Sequence, residues 1–455
     1  MQKVFDKSLN ERYFFTFLKC GLPVFVIPKK GINEKVVLIA VNYGSIDNSW
    51  RPAGKNELIT MPEGIAHFLE HQQFKKESGD ISMEFARYGS SYNAGTGYQT
   101  TTYYFSGTDY FTENLDLLLR LLFTSYFHKD SVEREKSIIE QELRMYADMA
   151  NVRVYENLIR NLYHNHPVRI SIGGTVESVR DITREMLYEC YKTFYRPSNM
   201  VAVVCGDVQP HQIIQQLEQA MDKFYTVKNI AHSTPNLQEK RFRSRGYVRG
   251  EIIRNIPDEP NDIRNRSTIE KMPLSISNLL MGYKETKTGF EGMPLLKQSI
   301  ITDILLELIF SKSSKLFSKL YGEKLIDDRF GCSYSAQKTF GFTIISADTE
   351  QPEILYQRII DELKKISQKK LFNKRALEQQ KRKLAGKFVW VFNSPMAIAS
   401  LFAGYYFNKI ITVSDCRQVF NTPKVVSKII MKDIQEQFEE HFNDKYHAFS
   451  IIKPL

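Results

Sequence analysis

The same closing pattern appears twice along this chain, and it limits the fold more than any other feature. Asp181-Ile182 opens a helical stretch that runs to Phe194 and passes through Pro197 into the apolar run 200–205 and the turn Gly206-Asp207. Asp433-Ile434 opens another helical stretch, and it leads into the apolar run 448–452. Each half spans about 200 residues, and internal similarity of this kind marks a duplicated unit. The chain therefore reads as two similar α/β domains, residues 1–225 and 267–455, joined by a linker at 226–266.

Within the first half, residues 21–28 and 36–41 are β-branched apolar runs and read as strands. Met61-Pro62-Glu63 reads as a helix start, with Pro in the first turn and Glu suited to the dipole. Residues 91–107, rich in Thr and Tyr, read as strand, and 112–127 and 131–149 as helices. In the second half, strands are expected at 275–283, 343–346 and 448–452, and helices at 295–320, 352–367 and 374–392. The linker holds Pro235, Pro257 and Pro260, with room for a strand. Its basic run, Lys240, Arg241, Arg243, Arg245 and Arg249 with Phe242 and Tyr247 interleaved, reads as a solvated linker or edge strand. No nucleic-acid-binding motif accompanies it.

Composition excludes several classes. The 455 residues are 42% hydrophobic and 25% charged, which rules out a disordered chain, a collagen and a coiled-coil rod. A net charge of +10 permits weak attraction to acidic partners but does not demand nucleic acid. The five cysteines, Cys20, Cys190, Cys205, Cys332 and Cys416, are odd in number and form no CxxC pair. Zinc ribbons and thioredoxin-type motifs are thereby excluded, and a reducing compartment is expected. The opening residues 1–20 mix acidic and basic groups with apolar ones and show no signal-peptide core, and no apolar run nears membrane-span length. A cytoplasmic protein without membrane or nucleic-acid partners is the expectation.

Chemistry concentrates at His67-Phe68-Leu69-Glu70-His71. On a helix, residues four apart share a face, so His67 and His71 can aim two imidazoles at one metal ion. Glu70 can reach a metal-held water without taking a coordination position. This inverts the His-Glu-x-x-His order of a common zinc-peptidase helix. The alternative is a pair of histidines capping or packing in a core helix. A chance match arises in roughly one such chain per hundred, so the motif informs without deciding alone. The helix at 131–149 carries Glu133, Glu135, Glu140 and Glu142 around an apolar stripe of Ile138, Ile139, Leu143 and Tyr146. Glu135 and Glu142 lie beside that stripe, where an acid is costly unless paired or metal-bound. Glu133 and Glu140 read as a solvated face balanced by Arg134, Lys136 and Arg144. His164 and His166, in Tyr-His-Asn-His-Pro, read as structural or surface residues.

These motifs resemble the pitrilysin family of zinc peptidases, which includes insulin-degrading enzyme and mitochondrial processing peptidase. The residues from Glu135 to Glu142 are similar to the family's third-ligand helix. Asn93-Ala94-Gly95-Thr96 resembles its active-site edge strand, and Tyr195-Arg196-Pro197-Ser198-Asn199-Met200 its helix-to-strand signature. The resemblance covers essentially the whole chain and is to short cytosolic bacterial members found as pairs. It implies an α+β fold of two related domains, each a largely antiparallel sheet packed with helices. It also implies Zn2+ held by His67, His71 and Glu142, with Glu70 catalytic and Glu135 orienting the site. Asn93 and Ala94 would bind a peptide added as a strand, inside a chamber closed by a second pair of domains. Asn93 reads equally well as a turn residue.

One departure bears on partners. In the family an Arg and, seven residues later, a Tyr in the second half grip the substrate. Tyr321 and Asp328 stand at the matching places, with Arg329 and Tyr334 nearby but out of register. The resemblance thus implies a zinc metallopeptidase that works as the catalytic subunit of a heterodimer, its homologous partner supplying Arg and Tyr. The alternatives are a non-catalytic peptide-binding or assembly subunit of the same fold and, more remotely, a metal-dependent lyase with a similar inverted motif.

Overall fold

Three runs of β-branched and small apolar residues form the centre of the first sheet: Pro23–Pro28, Lys35–Val41 and Met200–Gly206. Met200–Gly206 is buried at every position, as expected of a strand covered on both faces. The computed structural model describes residues 1–52, 57–224, 252–369, 372–412 and 415–455. It divides into two units that the chain visits alternately. The first holds Met1–Gln141, Ser171–Asn255 and Val391–Phe407, and the second holds Glu142–Ile170, Ile256–Trp390 and Asn408–Leu455.

In the first unit seven strands lie in the order Gln2–Asp6, Glu11–Phe17, Pro23–Pro28, Met200–Gly206, Lys35–Val41, Thr101–Gly107, Ser91–Thr96. All neighbours are antiparallel except Pro23–Pro28 with Met200–Gly206. The expected strand at 91–107 is therefore a hairpin. Gly97 N–H bonds Thr100 O at 2.8 Å and turns the chain, so Ser91–Thr96 becomes the sheet's last strand. The helix Pro395–Phe407 packs on Met200–Gly206 and Lys35–Val41. Its Phe402 ring meets Tyr13 edge-on at 4.9 Å and Phe25 at 5.4 Å.

In the second unit five strands lie in the order Ser267–Met272, His447–Pro454, Ser277–Lys284, Gly341–Thr349, Gly331–Ala336. Here too one pair is parallel, Ser267–Met272 with His447–Pro454, and the rest are antiparallel. In each sheet one strand lies parallel to the sheet's last strand in chain order, and beyond that last strand the same antiparallel succession follows, which is the duplication read from the sequence. The helix Ala150–Leu162 covers this sheet. Gly282 lets it approach: a Cβ there would stand 3.0 Å from methyl carbons of Leu158 and Leu162.

Every strand of the first sheet lies within residues 1–225, and every strand of the second within 267–455. The two covering helices are exchanged. The linker read at 226–266, with its basic run, lies largely outside the described residues; Ile253–Arg254 is a short strand paired with Ser49–Arg51. The helix expected over 295–320 is two, Gly292–Phe310 and Lys315–Gly322, because Ser314 caps the second by accepting the Phe317 N–H at 3.0 Å. No single helix among the described residues is long and apolar enough to cross a membrane.

Candidate metal centre

The helix Ile65–Gln73 carries the His-x-x-Glu-His motif. It starts at Ile65 rather than at Met61-Pro62, because Gly64 adopts a left-handed φ of 83° as its N-cap. Only glycine suits that place: a Cβ would lie 2.2 Å from the Gly173 carbonyl oxygen. Phe68 and Leu69 are fully buried and hold the helix down, while His67 and His71 sit half-buried on the other face, ring centroids 4.6 Å apart.

The helix Lys129–Ala147 supplies the acids. Gln72, buried, donates its Nε2 to the Ser131 carbonyl at 3.2 Å and to its hydroxyl at 3.3 Å, which fixes the register of one helix against the other. Glu135 follows one turn on and Glu142 two turns further, on the same side. The boundary between the units falls within this helix, after Gln141, but the helix is unbroken and carries Glu135 and Glu142 on one rod. One ligand atom each from His67, His71 and Glu142 lie within 4.8 Å of one another.

His71 Nδ1 is 3.0 Å from Glu135 Oε1, which directs its Nε2 to serve as a metal donor. Glu135 is 3% exposed. Burial pushes its carboxyl up, but the hydrogen bond with His71 and the charge of Lys75, 3.6 Å away, outweigh it and hold the group below the usual range. Lys75 also binds Asp80 at 3.0 Å. Two imidazoles and a carboxylate with one imidazole braced by an acid fit a catalytic zinc site.

Glu70 is 8% exposed and accepts the Thr96 hydroxyl proton on Oε2 at 2.7 Å. The buried phenols of Tyr103 and Tyr195 share a 2.7 Å hydrogen bond; burial first and then the Glu70 charge push both above the usual range, Tyr195 adding to the rise at Tyr103 while the shared bond offsets part of it at Tyr195. Asn93 and Ala94 lie on the edge strand Ser91–Thr96, where exposed Asn93 accepts the Ala94 N–H on its own Oδ1 at 2.9 Å. Glu133 faces solvent beside Lys136 at 3.0 Å, and Glu140 pairs with Arg180 at 2.8 and 2.9 Å. The apolar stripe is only partly buried: Ile139 is covered, while Ile138 is 48% and Tyr146 37% exposed.

In the second unit the substituted positions are occupied by surface residues. Tyr321 is half exposed and stacks on Phe317, and Asp328 pairs with Lys312 at 3.1 Å. Arg329 is held by Asp327 at 2.6 Å and Asp348 at 2.7 Å, and Tyr334 donates its hydroxyl to Glu285 at 2.9 Å. His166 is buried between Thr339 and the Val168 N–H, and burial lowers its pKa to about 4. Sequence reasoning missed Gln72, Ser131 and Lys75, and it placed Thr96 in the edge strand without a role.

Residues 60–176 match the family described as Insulinase (Peptidase family M16), and residues 181–384 the family described as Peptidase M16 inactive domain. The chain is 35% identical over 434 residues to the uncharacterized zinc protease YmfH of Bacillus subtilis, covering 95% of each. It resembles the crystal structure of an M16-like peptidase from Alicyclobacillus acidocaldarius with a TM-score of 0.87 at 30% identity, covering 98% of this chain and 99% of that one. It also matches pitrilysin with a TM-score of 0.70 at 16% identity, covering 99% of this chain but 46% of that one.

Proposed function

The chain belongs to peptidase family M16, and on that premise we propose that it is a zinc metalloendopeptidase for peptides and small unfolded proteins, acting as the catalytic subunit of a heterodimer. One observation carries the reading: His67, His71 and Glu142 converge within 4.8 Å, with the Glu70 carboxylate on the same short helix. When bound there, zinc polarises the scissile carbonyl and makes a water acidic. Glu70 accepts the proton from the attacking water and returns it to the departing amine. Glu135 holds the proton on His71 Nδ1. The outer edge of Ser91–Thr96 pairs with the extended peptide backbone, which selects for unfolded chains over folded ones.

The partner is inferred from what the second unit lacks. Its nearby guanidinium and phenol are committed, Arg329 to Asp327 and Asp348 and Tyr334 to Glu285. Neither Tyr321 nor Asp328 can replace an arginine fork. This chain spans 46% of pitrilysin, so a homologous second subunit would make up a comparable length. The Tyr321 and Asp328 substitutions also favour a second reading, a non-catalytic subunit. The converged ligands and Glu70 weigh against it. Cys20, Cys190, Cys205 and Cys332 are free thiols, which supports our placing the protein in the cytoplasm.

The test is hydrolysis of flexible quenched peptides, with zinc content measured alongside. Glu70→Gln should keep zinc and lose about 100-fold to 10,000-fold in rate. The chain alone should be slow, and adding a homologue that carries the Arg and Tyr should raise the rate by about 100-fold or more. Glu70→Gln turning over peptides at the wild-type rate would refute the assignment.

A further inference from the structure

The geometry points to Thr96 as a positioning residue that orients the Glu70 carboxylate and couples it to the strand on which a peptide docks. The inference rests on the reading of Glu70 as the base. Thr96 is the last residue of the edge strand Ser91–Thr96. Strand alternation leaves Ser91, Asn93 and Gly95 exposed and turns Tyr92, Ala94 and Thr96 toward partly buried surroundings. The Thr96 side chain thereby reaches the helix that carries the metal-binding motif, and its hydroxyl stands 2.7 Å from Glu70 Oε2.

A threonine has one hydroxyl proton to give. Two acceptors compete for this one: Glu70 at 2.7 Å and Thr101 Oγ1 at 3.4 Å. The carboxylate is closer and charged, so it takes the proton. Thr101 spends its own proton on the Tyr43 carbonyl at 2.9 Å and cannot reverse the chain. One oxygen of Glu70 is thus pinned by a donor fixed in the backbone of the edge strand. Glu70 is 8% exposed, so bulk water is a poor substitute for that donor.

Thr96→Val keeps the shape and removes the donor, and Thr96→Ser keeps the donor. Three readouts separate the roles: steady-state kinetics on a flexible peptide, bound zinc, and anisotropy of a labelled peptide with the metal-free protein. Thr96→Val should lower kcat by about 10-fold to 100-fold, as loss of a supporting hydrogen bond does. Its KM, zinc content and peptide affinity should stay at wild-type values. Thr96→Ser should recover the rate to within about threefold, and Thr96→Val should cost nothing more in a Glu70→Gln background, since the two residues act as one unit. A wild-type kcat for Thr96→Val, a loss of peptide affinity that matches the loss of rate, or a Thr96→Ser as slow as the valine each overturns the role. Glu70→Gln run in parallel separates the two levels. If it is as active as wild type, the base assignment itself falls. If it is silent while Thr96→Val is unaffected, only the Thr96 role falls.

Discussion

Replacing Glu135 by Gln tests how far the metal centre depends on a residue that does not touch the metal. The side chain is 4% exposed, 3.0 Å from His71 Nδ1 and 3.6 Å from Lys75. Glutamine keeps the volume, and its amide oxygen can still accept the imidazole proton, so the site should stay assembled. The charge is lost. A hydrogen bond to a charged group contributes about 1.5–3 kcal/mol, against about 1 kcal/mol for a neutral one. The difference of about 1–1.5 kcal/mol corresponds to about tenfold in zinc affinity. Glu135→Ala also removes the acceptor and should approach the 100-fold limit known for such supporting residues. The assay is competition between the apo protein and a chromophoric chelator, with thermal melting of the zinc-free protein as the folding control. His67→Ala and Glu142→Ala serve as references and should lose zinc altogether. If Glu135→Gln holds zinc as tightly as wild type while His67→Ala does not, Glu135 does not tune the site and its bond to His71 is incidental.

Two further outcomes follow from backbone and burial. Gly64→Ala forces a side chain into a left-handed φ and against the Gly173 carbonyl, so it should cost about 2 kcal/mol or more and weaken zinc binding with it, read by chemical denaturation and chelator competition. Asp303 is pushed up to about 6, by burial first and by Glu307 against the relief from Lys387. As pH rises from the usual carboxylate range through 6, the unfolded chain loses that proton before the folded one does, so the native state loses stability across this window. Asp303→Asn should therefore be more stable than wild type at pH 8, by about 3 kcal/mol, with the advantage fading below pH 5. A constant difference across that range would exclude Asp303 as its source.

The sequence made some features legible and hid others for physical reasons. Strands buried on both faces, such as Met200–Gly206, read as continuous apolar runs. The N-terminal pair Gln2–Asp6 and Glu11–Phe17 does not, because charged residues such as Lys3 and Arg12 occupy its exposed positions. The break at Gly97 was hidden by Thr and Tyr on both sides, which carry strand preference straight through the turn. His67, Glu70 and His71 stood out because one helical turn brings them together locally. The bonds of Gln72 to Ser131 and Thr96 to Glu70 join residues 59 and 26 positions apart, and nothing local marks them. Glu142 was reached through resemblance to a family rather than through its own helix, which offered four glutamates to choose from.

The exchanged covering helices govern the order in which the chain can mature on the ribosome. The helix Pro395–Phe407 shields Lys35–Val41 and Met200–Gly206, yet it is synthesised roughly 190 residues after the last of those strands. At about 5–20 residues per second this delay is on the order of ten to forty seconds. Throughout it the part of the first sheet that this helix covers stays open, a state that invites a holding chaperone. Ala150–Leu162 has the opposite problem, emerging before any strand of the sheet it covers. Neither half of the duplicated chain can finish its core from its own residues, so the ancestral repeat is no longer a unit that could be cut out, shuffled or inherited alone.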